Sequence, residues 1–257
     1  MRLAGIFLLL AWSGVIAAQA RLAIIIDDVG NDYAVAQEVL SLPPEITVSI
    51  LPRLHHSTRI SAQAYRQGRE VMLHQPMQAL LRNRLGPGGL TLDQTQADLG
   101  AVLQANLASV PHAVGVNNHM GSLLTSDADS MRHFMAALKQ QGDLFFVDSR
   151  THRLTRAQVT ATASGLHSAR RDVFLDNDRS PAAIRAQLQR AVELAQQRGS
   201  AIAIGHPYPE TLAVLREMLP QWREQGMILL PVSHVIAHQR SPGSWHASLS
   251  PLPKVAK

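Results

Sequence analysis

The 257-residue chain is 46% hydrophobic and sets 24 Lys and Arg against 19 Asp and Glu, a net charge of +5, which suits one large core rather than an obvious pair of domains. It has no cysteine, so disulfides, thiolate metal ligands and a cysteine nucleophile are excluded. The arginines are scattered without a dense basic run or an aromatic-rich motif, which argues against nucleic-acid binding.

Residues 1–20 stand apart. Arg2 precedes a mostly apolar run from Leu3 to Ile16, and Ala18-Gln19-Ala20 has the small-x-small form of a cleavage site. This reads as a secretory signal peptide, with an uncleaved anchor as the alternative. It predicts export across the inner membrane to the periplasm of a chain beginning at Arg21. No later stretch approaches the roughly 20 apolar residues of a membrane span.

Leu22-Ala23-Ile24-Ile25-Ile26 is a β-branched run that ends in Asp27-Asp28-Val29-Gly30, the pattern of a buried strand delivering two acids at its C-terminal end. Two neighbouring anions repel unless a cation or a proton sits beside them. A helix follows over 33–40, stopped by Pro43-Pro44, then a strand over 46–51 and a helix from Ser57 to about Gln67. A third strand over 69–73 ends on His74. Residues 75–89, with Gly86-Pro87-Gly88-Gly89, read as a flap beside the strand ends. A helix over 91–108 leads to a strand over 113–116, ending in Asn117-Asn118-His119-Met120-Gly121-Ser122. Thr125 or Ser126 caps a helix through Gln141, and a strand over 144–147 ends on Asp148-Ser149-Arg150. After a weaker helix over 155–163, a short strand over 172–175 ends on Asp176-Asn177-Asp178. Ser180-Pro181 opens a helix that Gly199 closes, and a strand over 201–204 ends on Gly205-His206-Pro207. A helix over 209–225 is expected to bend or break at Pro220, a last strand covers 227–230, and a poorly ordered tail is expected over 238–257. The domain proper is then 21–237.

Strands alternating with helices imply a parallel sheet, open or closed into a barrel. Asp27, Asp28, His74, Asn118, His119, Asp148, Asp176 and His206 all fall at C-terminal strand ends, which only a barrel brings to one face. Carboxylates and imidazoles without thiols suit zinc or a similar divalent ion, and three protein ligands with an open position make such a site catalytic. Asp27 or Asp28, His74, His119 and His206 are the candidates; spacing leaves the two aspartates interchangeable. Asp148 can orient a histidine through its other ring nitrogen, with Asn118 as a second supporting residue. Asp176 and Asp178 precede a helix start and read as structural.

The Asp27-Asp28 pair, the histidine ending the third strand and the histidine after Ala201-Ile202-Ala203-Ile204 resemble the polysaccharide deacetylase (NodB-like, carbohydrate esterase) superfamily. The segments Asn117 to Ser122, Phe145 to Ser149 and Ile204 to Pro207 are similar to its divergent, YibQ-like branch. The resemblance implies an irregular (β/α) barrel of about seven strands and metal-dependent removal of acetyl groups from a carbohydrate. It further implies Asp27 as general base, Asp28 as metal ligand and His206 as general acid. Two motifs depart from the superfamily pattern: Gln78 stands where a second metal histidine is usual, and Asn117-Asn118-His119 replaces an arginine-proline motif. His119 is therefore proposed as the third ligand, giving a triad of Asp28, His74 and His119 for a divalent metal, zinc by preference. The expected substrate is an acetylated polysaccharide of the cell envelope. The alternative is a catalytically degenerate, glycan-binding or envelope-associated protein that keeps the fold.

Overall fold

β1 (Arg21–Val29) is the central strand of the computed structural model, which describes residues 20–81 and 84–240; all of the expected leader but Ala20 and most of the expected tail lie outside these residues. It pairs in parallel with β2 (Thr47–Ile50) on one side and β8 (Ser200–Gly205) on the other. Beyond β2 follow β3 (Val71–Met77), β4 (Ala113–Met120), β5 (Phe145–Asp148) and β6 (Ser168–Arg170), and beyond β8 lies β7 (Val173–Phe174). The two-residue β9 (Ile228–Leu229) runs beside the start of β1. Every ladder is parallel, so the connections between neighbouring strands cross back over the sheet through helices, while β6 and β7, which do not pair, are joined directly. The result is an α/β half-barrel whose main path has eight strands, with β9 off that path; the strand that the sequence pattern does not show is β6.

Alternation along β1 separates two cores. Leu22, Ile24 and Ile26 pack outward against the helices, among them α2 (Ser57–Arg66) through Ile60 and α6 (Pro181–Arg198) through Leu188. Ala23 and Ile25 face inward, with Met72, Val147, Ile202 and Ile204. α8 (Val232–Arg240) fills this concave side, contributing Val232, Val235 and Ile236. Each of these fully buried aliphatic chains contributes about 1.5–3 kcal/mol. The same parity carries Asp27, His74 and His206 to the inner face, above the apolar floor.

Polar groups hold α8 at its start. The Val232 N–H donates to Thr47 Oγ1 (3.1 Å) and the Ser233 N–H to Glu70 Oε1 (3.3 Å), while the Thr47 hydroxyl donates to the same Glu70 oxygen (2.9 Å). Glu70, the residue before β3, thus supplies an acceptor to the free amides of the first turn of α8. Burial pushes the Glu70 carboxyl above its usual range, against the Ser233 and Thr47 donors and nearby His234.

Several elements differ from expectation. β3 and β4 run on to Met77 and Met120 because they pair along their whole length, including Pro76 beside His119. α3 (Gln96–Ser109) starts late, at a Thr95 and Asp98 capping box. Thr125 and Ser126 lie in a 3-10 turn, and Asp127 caps α4 (Ala128–Gln140) by accepting from Ser130 N–H. α7 (Pro209–Glu224) continues through Pro220, whose exposed position lets water take up the carbonyl it frees. The expected tail begins later, since His238 to Arg240 complete α8. The loop after β3 is pinned where Gly88 C=O accepts from Gln75 Nε2 (2.9 Å) and Asn106 Nδ2 (2.8 Å). No helix of the described residues is long and apolar enough to cross a membrane.

A raised folded-state value means that Glu70 binds its proton more tightly in the native protein than in the unfolded chain. Its contribution is full below the ordinary glutamate value and declines as pH rises through the elevated one. Urea unfolding of Glu70→Gln across this range is expected to show the variant gaining on wild type as pH rises, by about 1.4 kcal/mol per unit of elevation. Parallel stability curves would contradict the buried clamp.

Candidate metal centre

Two consecutive side chains on a strand normally point to opposite faces. Asp27 faces the concave side by alternation, and Asp28 joins it because its backbone turns left-handed, at φ 56°. Met120, the last residue of β4, and Arg150, two residues after β5, adopt φ 53° and 51°, so the rim repeats this device. For residues other than glycine the conformation costs about 1–2 kcal/mol.

Asp28 Oδ1, His74 Nε2 and His119 Nδ1 form a tight triangle, with separations of 3.1, 2.8 and 3.2 Å. Asp28 Oδ1 is buried yet accepts no hydrogen bond of adequate angle from either ring, so these approaches are not those of satisfied pairs. Donor atoms around a tetrahedral ion with bonds of about 2.0–2.1 Å sit roughly 3.3 Å apart. The three residues therefore fit a divalent cation, and among the described residues they are the group of three whose ligand atoms converge this closely.

Asn117 organises the floor of the centre. Its Oδ1 accepts from Ser49 Oγ (2.6 Å) and lies 2.8 Å from His74 Nδ1, while its Nδ2 donates to Asp27 Oδ1 (2.8 Å) and Ser149 Oγ (3.2 Å). An acceptor at Nδ1 fixes the tautomer in which His74 Nε2 presents its lone pair to the triangle. On the far side, His206 Nε2 stands 3.7 Å from Asp28 Oδ2, and its Nδ1 is 2.9 Å from Asp176 Oδ1. Asp176 Oδ2 also accepts the His206 N–H and the Thr211 hydroxyl. Gly205 permits this approach: a Cβ there would lie 3.3 Å from Asp176 Oδ2.

The electrostatics separate the aspartates. Burial raises Asp27 above the usual carboxylate range, against the pull of His74, His206 and Asn117. Burial acts upward on Asp28 as well, but the His119 and His74 rings hold it far below that range. For His74 burial acts downward, and the Asp27 and then Asp28 carboxylates outweigh it, pushing the imidazole up to about 9. His206 is raised too, burial being overcome first by Asp176 and then by Asp27. Adjacent carboxylates driven in opposite directions are the usual mark of divided acid-base roles.

All five principal candidates thus meet at one rim. Asp148 does not: it points to the outer face and accepts from Arg150 N–H (2.8 Å) and Thr155 Oγ1 (3.0 Å), bracing the turn into α5 (Ala157–Ala163). The histidine-orienting carboxylate expected there is Asp176 instead. Asn118 braces the rim, accepting the Ser149 N–H and donating to Met120 C=O. Gln78 is occupied elsewhere, its carbonyl receiving the Leu123 and Leu124 amides and its side chain the Leu92 amide. Asn117 and Asp176 are the residues that sequence reasoning misplaces. The strand parity that points each inward was the available signal, and a bulge where β4 meets β3 obscures it for Asn117.

A family model for divergent polysaccharide deacetylases matches residues 24–236. An uncharacterized protein of Escherichia coli, YibQ, is 39% identical over 211 residues, which cover 82% of this chain and 66% of that protein, so the chain spans about two thirds of its relative's length. The crystal structure of an uncharacterized Agrobacterium tumefaciens protein, ATU2773, superposes with a TM-score of 0.81 at 23% identity, covering 87% of this chain and 91% of that one. A mutant of BA3943, described as a CE4 family pseudoenzyme with restored enzymatic activity, superposes with a TM-score of 0.51 at 15% identity, covering 86% and 68%.

The donor set predicts one divalent ion per chain. His74→Ala and His119→Ala should each weaken binding by more than about 100-fold, Asn117→Ala by about 10–100-fold, and Gln78→Ala not at all, read by competition with a chromogenic chelator. Unchanged affinity in His119→Ala would remove it from the triad.

Proposed function

We infer a function from two facts: the chain belongs to the divergent polysaccharide deacetylase family, and five titratable side chains converge at its rim. The proposed activity is metal-dependent hydrolysis of acetyl groups on a polysaccharide. The observation that carries it is the triangle of Asp28 Oδ1, His74 Nε2 and His119 Nδ1 with Asp27 and His206 beside it.

Held by the triad, a divalent ion, zinc by preference, supplies polarisation of a carbonyl oxygen and a lowered pKa for water. The protein's own groups do the proton work. Asp27 keeps Oδ1 on Asn117, leaving Oδ2 without a donor among the described residues, 3.6 Å from His74 Nε2. Its raised pKa makes it a stronger base than an ordinary carboxylate, suited to accepting the proton of an attacking water. His206 is fixed by Asp176 at Nδ1, so Nε2 is the nitrogen that exchanges protons, and its raised pKa holds a proton there for the departing amine or alcohol. The leader-like residues 1–20 support the periplasm as the place of action and an envelope glycan as substrate.

A glycan-binding barrel without turnover is the second reading. It is favoured by Gln78, whose groups are committed to the loop in place of a metal histidine.

Acetate release from acetylated envelope glycans by metal-loaded protein separates the two. Asp27→Asn and His206→Ala are each expected to lower kcat by about 100–10,000-fold while bound metal is retained. No release from any acetylated glycan by the loaded wild type would leave the binding reading.

A further inference from the structure

The half-barrel does not close by a ladder between β6 and β7. The chain steps from one sheet edge to the other through Arg171 and Asp172, and a cavity of about 540 Å³ opens at this seam, within the size range of small-ligand sites. Three guanidiniums line it, from Arg150, Arg171 and Arg190.

Arg171 is built in rather than free. Its Nε donates to Ser149 C=O (2.7 Å) and its Nη2 to Arg150 C=O (2.9 Å), and its guanidinium lies 4.8 Å over the Phe174 ring. Both acceptors are neutral, so the charge is positioned without being neutralised. Arg150 is presented from a left-handed backbone held by its own N–H on Asp148. Among the described residues, none of the three guanidiniums has a carboxylate within ion-pair distance. Asp172, the acid in the same wall, is engaged by the Ile202 N–H (2.9 Å) and lies 3.5 Å from Arg198. Burial and then the neighbouring Arg150 charge weaken Arg171's hold on its proton, and the more distant Asp148, Asp27 and Asp172 carboxylates offset this only in part, so an anion in the cavity would add to what they supply.

The cavity shares two walls with the metal centre. Ser149 Oγ accepts from Asn117, which also holds Asp27, and the Phe174 ring lies 5.2 Å from His206. We propose that the seam cavity is an anion subsite of the same active site, and that the glycan taken there carries a carboxylate or phosphate on or beside the acetylated sugar. Arginines recognise either group through paired N–H donors, and three cations without a direct ion pair beside the reacting centre select an acidic chain over a neutral one. That this glycan is a substrate rests on the deacetylase reading; the anion preference does not.

The test is calorimetric titration of the metal-loaded protein with four probes: acetylated trigalacturonate, its methyl ester, N-acetylglucosamine 6-phosphate and N-acetylglucosamine. At least one acidic probe should bind about tenfold or more tightly than its neutral counterpart, and which one does so identifies the anion. Arg150→Gln with Arg190→Gln should abolish that preference without weakening the neutral sugars. These side chains make no hydrogen bond within the described residues, so the fold should survive their replacement. Arg185→Gln with Arg223→Gln, elsewhere on the surface, controls for net charge. Equal binding of acidic and neutral probes, or a preference that the cavity variants leave intact, would overturn the subsite. Acetate release followed in parallel keeps the two ideas separate. An arginine-dependent preference without acetate release sustains the subsite and sinks the deacetylase reading. Turnover of neutral glycans indifferent to the arginines does the reverse.

Discussion

The site depends on placing two consecutive carboxylates, Asp27 and Asp28, side by side at the end of a buried strand. Strand geometry forbids it and mutual repulsion penalises it. The backbone meets the first difficulty by turning left-handed at Asp28 (φ 56°), which brings both acids to the concave face. The second is met by imidazoles from three other strands, His74, His119 and His206, each within 4 Å of an aspartate oxygen. What remains is a set of converging ligand atoms, Asp28 Oδ1, His74 Nε2 and His119 Nδ1, whose spacing fits a divalent cation.

The rest of the fold serves this arrangement. α8 fills the lower concave side with Val232, Val235 and Ile236, so the inward-facing residues near the rim rest on a packed floor. Asn117 then connects Ser49, His74, Asp27 and Ser149, residues of four elements, through one amide. A network in which every partner is used fixes rotamers as well as charges. Asp176 performs the same service for His206, with Thr211 and the His206 amide holding it in turn.

Much of this was readable in the residues. The Ile24-Ile25-Ile26 run ending in two acids, the Ser180-Pro181 start of α6 and the histidines placed after successive apolar runs pointed to a parallel (β/α) barrel and to the five side chains that meet at the rim. What escaped was set by tertiary contact. β6, Ser168 to Arg170, is too short and polar to show a period, and α8 carries its apolar residues for a concave surface that sequence does not display. Asp148 and Asp176 both end strands, and nothing local distinguishes the one that turns outward to brace a loop from the one that reaches His206. Asn117 hides beside Asn118 because a bulge in the β3 and β4 pairing shifts the parity by which their faces would be judged.

The central claim is that Asp28, His74 and His119 hold one divalent ion between neighbouring strand ends. X-ray absorption at the metal edge of zinc-reconstituted protein tests it directly. The account predicts a shell of nitrogen and oxygen at about 2.0–2.1 Å with outer-ring scattering from two imidazoles. A shell containing one imidazole or none would contradict it.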